Sequence, residues 1–107
     1  MALIHLNYSF EGVPGASIPE AWFHSGVVGS GDMEVLLYRR DQGGRVNVAV
    51  CTPVHGFDQV WEQVLRRFVE QSGCGDLDLE INDNNATPFV VSLRLQQALM
   101  EAREEDQ

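Results

Sequence analysis

One serine in this chain is set apart by its neighbours. Ser30 lies between Gly29 and Gly31, in the run Gly26-Val27-Val28-Gly29-Ser30-Gly31-Asp32. The two glycines remove both flanking side chains, free the backbone to take unusual angles and let the hydroxyl be presented to something bulky. A nucleophile elbow requires Gly two residues before the serine, where this chain has Val28. A P-loop fits the glycine spacing, but Asp32 and Met33 stand where Lys and Ser/Thr must be. A dinucleotide fingerprint needs the glycines in the reverse order. Gly, Ser and Asp are also common turn residues, and on pattern alone a plain hairpin connection is the more economical reading.

The other reactive residues form no recognisable constellation. His5 falls on the polar face of an alternating segment, while His24 and His55 read as loop residues. No H-x-x-x-H or C-x-x-C spacing occurs, so no structural zinc site is expected. Cys51 reads as a small strand residue. Cys74, between Gly73 and Gly75, reads as a loop thiol with no basic neighbour to activate it. A Ser30–His24–Asp32 hydrolase triad can be written down, but triads are set by three-dimensional geometry and sequence proximity does not support one. Trp22 and Phe23 either close one end of the core or offer an aromatic contact to a partner.

Composition narrows the classes further. With 107 residues, 44% of them hydrophobic and 21% charged, the chain has the length and make-up of one globular domain spanning 1–107. Sixteen acidic residues against seven basic ones give −9, a surface that repels nucleic-acid phosphate and anionic lipid. All seven basic residues are arginines, which removes Schiff-base and P-loop lysines together. The N-terminal residues carry no signal-peptide pattern, and no apolar run approaches the ~20 residues of a membrane helix. Two cysteines are too few for a disulfide framework, so a cytoplasmic protein with reduced thiols is expected.

The elements that must position Ser30 follow from hydrophobic period. Ile4, Leu6, Tyr8 and Phe10 alternate with polar residues as a half-buried strand. Residues 11–21 have neither period and read as a loop. Met33–Tyr38 and Arg45–Thr52 read as the second and third strands, and the turn Asp41-Gln42-Gly43-Gly44 predicts that they form an antiparallel hairpin. Phe57, Val60, Trp61, Val64, Leu65 and Phe68 form a helical stripe, with the aromatics in the core and Gly73 as a left-handed stop. Leu77, Leu79 and Ile81 mark a fourth strand. Thr87-Pro88 opens a last helix that aligns Val91, Leu95, Ala98, Leu99 and Ala102. The first half of that segment also alternates as a strand would, and the helix is preferred. The predicted class is α+β: a mostly antiparallel sheet of about four strands, order β-β-β-α-β-α, with two helices packed on it and residues 103–107 frayed.

The segment Gly26 to Leu36 closely resembles that around the modified serine of the malonate decarboxylase acyl carrier (delta subunit) family. The likeness continues through Val60-Trp61 and Phe68. It returns in Ile81-Asn82-Asp83, Ala86-Thr87-Pro88 and Leu93-Arg94-Leu95-Gln96-Gln97, spanning roughly residues 26 to 105. The chain departs from the family pattern at Asn84-Asn85 before Ala86, at Phe89 after Pro88 and around Thr52-Pro53-Val54-His55. Its segment before Gly26 is also long. These departures bear on the partner surface and the acyl group more than on attachment at Ser30.

The resemblance implies a non-catalytic carrier subunit. Ser30 would bear 2'-(5''-phosphoribosyl)-3'-dephospho-CoA in phosphodiester linkage, with Gly29, Gly31 and Asp32 as the supporting loop. A dedicated prosthetic-group transferase would attach the arm, the serine hydroxyl displacing pyrophosphate from a triphosphate precursor. Acyl-transferase and decarboxylase subunits would then act on acetyl and malonyl held as thioesters. A thioester spreads developing carbanion charge into a neutral carbonyl, where an oxyanion hole can stabilise it, whereas free malonate would build that charge beside an existing carboxylate. Tethering also raises the effective concentration at each partner. The competing readings are a carrier for a citrate-lyase-type enzyme, an unmodified assembly subunit and a small serine hydrolase.

Overall fold

Alternation leaves each strand with one apolar side, and the chain buries all of them against the same pair of helices. The computed structural model describes residues 2–104. In chain order the elements are β1 (Ile4–Phe10), β2 (Trp22–Gly26), β3 (Asp32–Arg39), β4 (Val46–Thr52), α1 (Asp58–Ser72), β5 (Leu77–Asn84) and α2 (Pro88–Glu104). The five strands make one mixed sheet in the order β1-β4-β5-β3-β2. Met33, Val35 and Leu37, then Val46, Val48 and Val50, then Leu77, Leu79 and Ile81, supply the buried side of the three central strands. Trp61, Leu65, Phe68 and Val69 of α1 cover it together with Val91, Leu95, Ala98, Leu99 and Ala102 of α2.

The α+β class stands, with two corrections to its layout. The sheet has a fifth strand, β2, where sequence showed only a loop and a glycine patch. Its five residues bring one large apolar side chain, Phe23, to the core, too little alternation to register, and the strand exists by pairing with β3. The second correction is to the hairpin. β3 and β4 are joined by the expected turn but are not neighbours. β5 inserts between them, antiparallel to β3 and parallel to β4. A parallel partner needs a crossover, and α1 provides it.

The helices follow their sequence signals closely. α1 ends on Gly73 at φ 65°, whose N–H donates to the Val69 carbonyl. α2 opens on Thr87, whose Oγ1 accepts the Val90 N–H at 3.3 Å. All five residues predicted for the buried stripe of α2 are buried. In α1 the aromatic stripe loses one member. Phe57 is the N-cap residue rather than a helical position and is 47% exposed. α2 runs through Glu104, and residues 105–107, the rest of the segment expected to fray, lie outside the described residues.

One buried carboxylate ties three loops together at the α1–β5 junction. Asp76 accepts the N–H groups of Gly15 at 2.8 Å, Gln42 at 3.0 Å and Gly44 at 2.7 Å. Its carbonyl accepts the Ser17 hydroxyl and the Arg40 N–H. The segment 11–17 thus lies against the α1–β5 turn backbone to backbone, so closely that a Cβ at Gly75 would fall on the Val13 carbonyl. The Gly15 N–H first, then those of Gln42 and Gly44, holds the Asp76 carboxyl below its ordinary range. A depressed folded-state value contributes stability above the unfolded value of about 4, lost as pH falls through the folded one. Asp76→Asn should therefore lower Tm at neutral pH, and the gap to wild type should shrink as acid protonates the wild-type carboxylate. Thermal melts of both proteins from neutral pH into acid check this; a gap that stays constant with pH would contradict it.

Candidate functional site

Ser30 stands at the corner of a tight turn in the β2–β3 connection. The Asp32 N–H donates to the Gly29 carbonyl at 3.0 Å, closing the four residues 29–32 into a β-turn. Gly31 has φ +75° whereas Ser30 does not share a positive φ, the pattern of a type II turn with Ser30 and Gly31 as its central residues. The glycine patch is thus a hairpin connection, as its composition predicts, and the strand it pairs with β3 is β2. Ser30 is exposed, and its hydroxyl makes no hydrogen bond among the described residues. Val27 and Val28, just before the turn, are exposed apolar residues.

Tertiary contacts fix the turn from two sides. Pairing with β2 stops at Gly26↔Glu34, so the first two residues of β3 lean on β5 alone. The Gly31 N–H donates to the Asn84 carbonyl at the end of β5, at 2.7 Å. Asp32 is gripped from α2: Arg94 Nε donates to Oδ1 and Nη2 to Oδ2, both at 2.8 Å, a bidentate fork. Oδ1 also accepts the Met33 N–H. Arg94 first, and the Met33 N–H second, hold the Asp32 carboxyl below the usual range, and Asp32 in turn raises the guanidinium. Gln97 Oε1 accepts a third N–H of Arg94 at 3.0 Å.

The remaining polar groups nearby are tied off rather than poised. His24 lies in strand β2, not in a loop, and its Nε2 pairs with Glu34 Oε2 at 2.8 Å. Glu34 Oε1 accepts from Asn82, and His24 followed by Asn82 lowers the Glu34 carboxyl. With Asp32 held by Arg94 and His24 by Glu34, the Ser30–His24–Asp32 triad is not assembled. His5 and His55 are exposed, and among the described residues no group of three His, Cys, Asp or Glu is placed to hold a metal ion. Cys51 is half-buried in β4. Cys74 lies in the α1–β5 loop, as expected, but its side chain is fully buried in the core, and that burial pushes the thiol up, away from reactivity. The aromatic pair divides: Phe23 packs on the core and Trp22 is 60% exposed.

Sequence reasoning missed Asn84 and Arg94 as supports of the turn. Arg94 is 62 residues from Asp32 in the chain and borders the buried stripe of α2, so no local spacing links the two. Turn chemistry itself carries a consequence. A Cβ at Gly31 would meet nothing within 4 Å, so only the left-handed angle penalises a side chain there. Gly31→Val should lower stability by about 1–2 kcal/mol, while Gly31→Asn should cost less, because Asn tolerates that region. Thermal melts and the amide shifts of residues 29–32 measure both; equal effects would remove the type II assignment.

Comparison with known proteins places this turn in a family. The malonate decarboxylase delta subunit family matches residues 21–102. The malonate decarboxylase acyl carrier protein of Malonomonas rubra is 48% identical, covering 98% of this chain and 94% of its own. That of Acinetobacter calcoaceticus is 42% identical over 88% of this chain and 91% of its own. A chain in the crystal structure of a Pseudomonas malonate decarboxylase hetero-tetramer in complex with malonate superposes with a TM-score of 0.73 at 33% identity, covering 95% of this chain and 99% of that one. A single family thus accounts for the fold and for the stretch that contains the Ser30 turn: the chain belongs to the malonate decarboxylase acyl carrier (delta subunit) family.

Proposed function

We propose that this chain is the non-catalytic carrier subunit of a cytoplasmic malonate decarboxylase and that Ser30 is where phosphoribosyl-dephospho-CoA is attached. The observation that carries the reading is the turn: an exposed hydroxyl, free of hydrogen bonds among the described residues, at the corner of a turn with glycines on both sides. The residues fit the group. Cβ atoms built at Gly29 and Gly31 meet open space, nothing closer than 4.0 Å, so a bulky diester and the transferase that delivers it can approach from either flank. The arm, once bound, supplies a thiol on which acetyl and malonyl are carried as thioesters.

The chain's own part in attachment is small and specific. The Ser30 oxygen forms the new bond to phosphorus of the triphosphate precursor, the bond to the departing pyrophosphate breaks, and the hydroxyl proton is released to solvent. Among the described residues no base at the turn is free to take that proton, since His24 and Asp32 are both paired, so activation of the hydroxyl falls to the transferase. The acidic surface keeps a negatively charged arm off the body of its own carrier, and basic side chains on the acyl-transferase and decarboxylase subunits then meet the turn.

Ser30→Ala removes one exposed hydroxyl and leaves no cavity, so stability should change by no more than about 0.5 kcal/mol. The variant should gain no mass on co-expression with the transferase, and a reconstituted decarboxylase should be inactive with it. Ser25 is the control: its hydroxyl already donates to Glu101 Oε1 at 2.8 Å, and Ser25→Ala should load normally. Mass spectrometry that located the arm on another residue would overturn the assignment of Ser30, and a wild-type chain that gained no arm would overturn the carrier reading in favour of an unmodified assembly subunit.

A further inference from the structure

We propose that Arg94 is the counter-charge for the phosphodiester on Ser30, a binding residue for the linkage as well as a strut of the turn. The inference rests on the assignment of Ser30 as the attachment point and goes beyond it. Of the seven arginines, Arg94 alone makes a hydrogen bond to the Ser30 turn among the described residues. Others are engaged elsewhere: Arg40 with Asp78, Arg45 with Ser9, Arg66 with Glu62, and Arg103 with the carbonyls of Ala16 and Ser17.

The donor inventory leaves Arg94 capacity to spare. A guanidinium has five N–H donors in a fixed fork. Asp32 takes two, from Nε and Nη2, and Gln97 takes one from Nη1. One N–H on each terminal nitrogen is left without a partner among the described residues, and the Arg94 side chain is 36% exposed, so an anion can reach the guanidinium from solvent. Asp32 follows Ser30 by two residues, which puts their Cα atoms at most about 7 Å apart. A diester phosphate on the Ser30 oxygen reaches further out still and can swing toward the fork.

Charge gives this arrangement its purpose. Before loading, Asp32 and Arg94 cancel. After loading, one phosphodiester anion stands beside Asp32 on a chain already at −9, and without Arg94 the two like charges face each other across a short turn. Sharing Arg94 between carboxylate and phosphate answers that repulsion and holds the root of the arm in one orientation. A lysine would keep the charge but lose the planar fork that serves two anions together.

The experiment compares unloaded and loaded chains. In the wild type, the Nε–H resonance of Arg94 in 15N NMR should shift on loading. The 31P resonance of the loaded diester should differ between wild type and Arg94→Gln, with Arg94→Lys in between. Loading should lower the Tm of Arg94→Gln by about 2–5 °C more than that of wild type at low ionic strength, a difference that high salt erases. An Arg94 resonance indifferent to loading, or the same loaded-minus-unloaded Tm in both proteins, would reduce Arg94 to a strut and overturn the inference. The wild-type measurement decides even if Arg94→Gln does not load. An arm found by mass spectrometry on a residue other than Ser30 would instead defeat the attachment assignment and, with it, the counter-charge.

Discussion

The insertion of β5 between β3 and β4 is the constraint on which the rest of the structure depends. A central strand has no free edge and both of its neighbours must be formed around it, so everything at its two ends is held by the same ladder. At its start, Asp76 gathers the 11–17 segment and the β3–β4 turn through three backbone N–H groups. At its finish, Asp83 accepts the Thr52 hydroxyl and the Ala86 N–H, fixing the departures toward α1 and α2. The next residue, Asn84, lends its carbonyl to Gly31. The serine turn is therefore seated on the central strand of the sheet, though it belongs to an edge hairpin.

That seating leaves the Ser30 hydroxyl exposed without activating it. A catalytic serine needs a base within hydrogen-bond reach and an oriented partner behind it. Here each candidate is neutralised by a nearer partner: His24 by Glu34, Asp32 by Arg94. What remains is a hydroxyl at a corner with bare glycines beside it. The arrangement keeps the surroundings of Ser30 chemically quiet while the turn leaves it exposed, as the attachment role proposed for it would require.

The charge of the chain is arranged to the same end. Arginine is its only permanent cation, and Arg94 brings one of these few charges to the serine turn, with its carboxylate partner supplied by the turn itself. Exposed apolar residues Val27 and Val28 precede the turn, so apolar side chains and the Asp32–Arg94 pair flank Ser30 on a chain of net charge −9. The departures from the family pattern, Asn84-Asn85 and Phe89, lie at the same end of β5, and Phe89 is exposed.

Local patterns in the sequence determined the helices, their caps, the alternating strands and the prominence of Ser30, because each is set by residues within one or two turns of chain. The Gly73 stop, the Thr87-Pro88 start and the buried stripe of α2 are all of this kind. The fifth strand, the order of the sheet and the grip of Arg94 on Asp32 were decided only in the tertiary structure. β2 carries too short an apolar face to show a period and gains its strand character from β3. The turn between β3 and β4 looks like a hairpin turn locally, yet α1 returns the chain so that β5 takes the place between them. Phe57 keeps its helical spacing on paper but sits at a cap, where its side chain leaves the core. An ion pair spanning 62 residues has no local signature, since what brings Arg94 to Asp32 is the packing of a whole helix across the sheet.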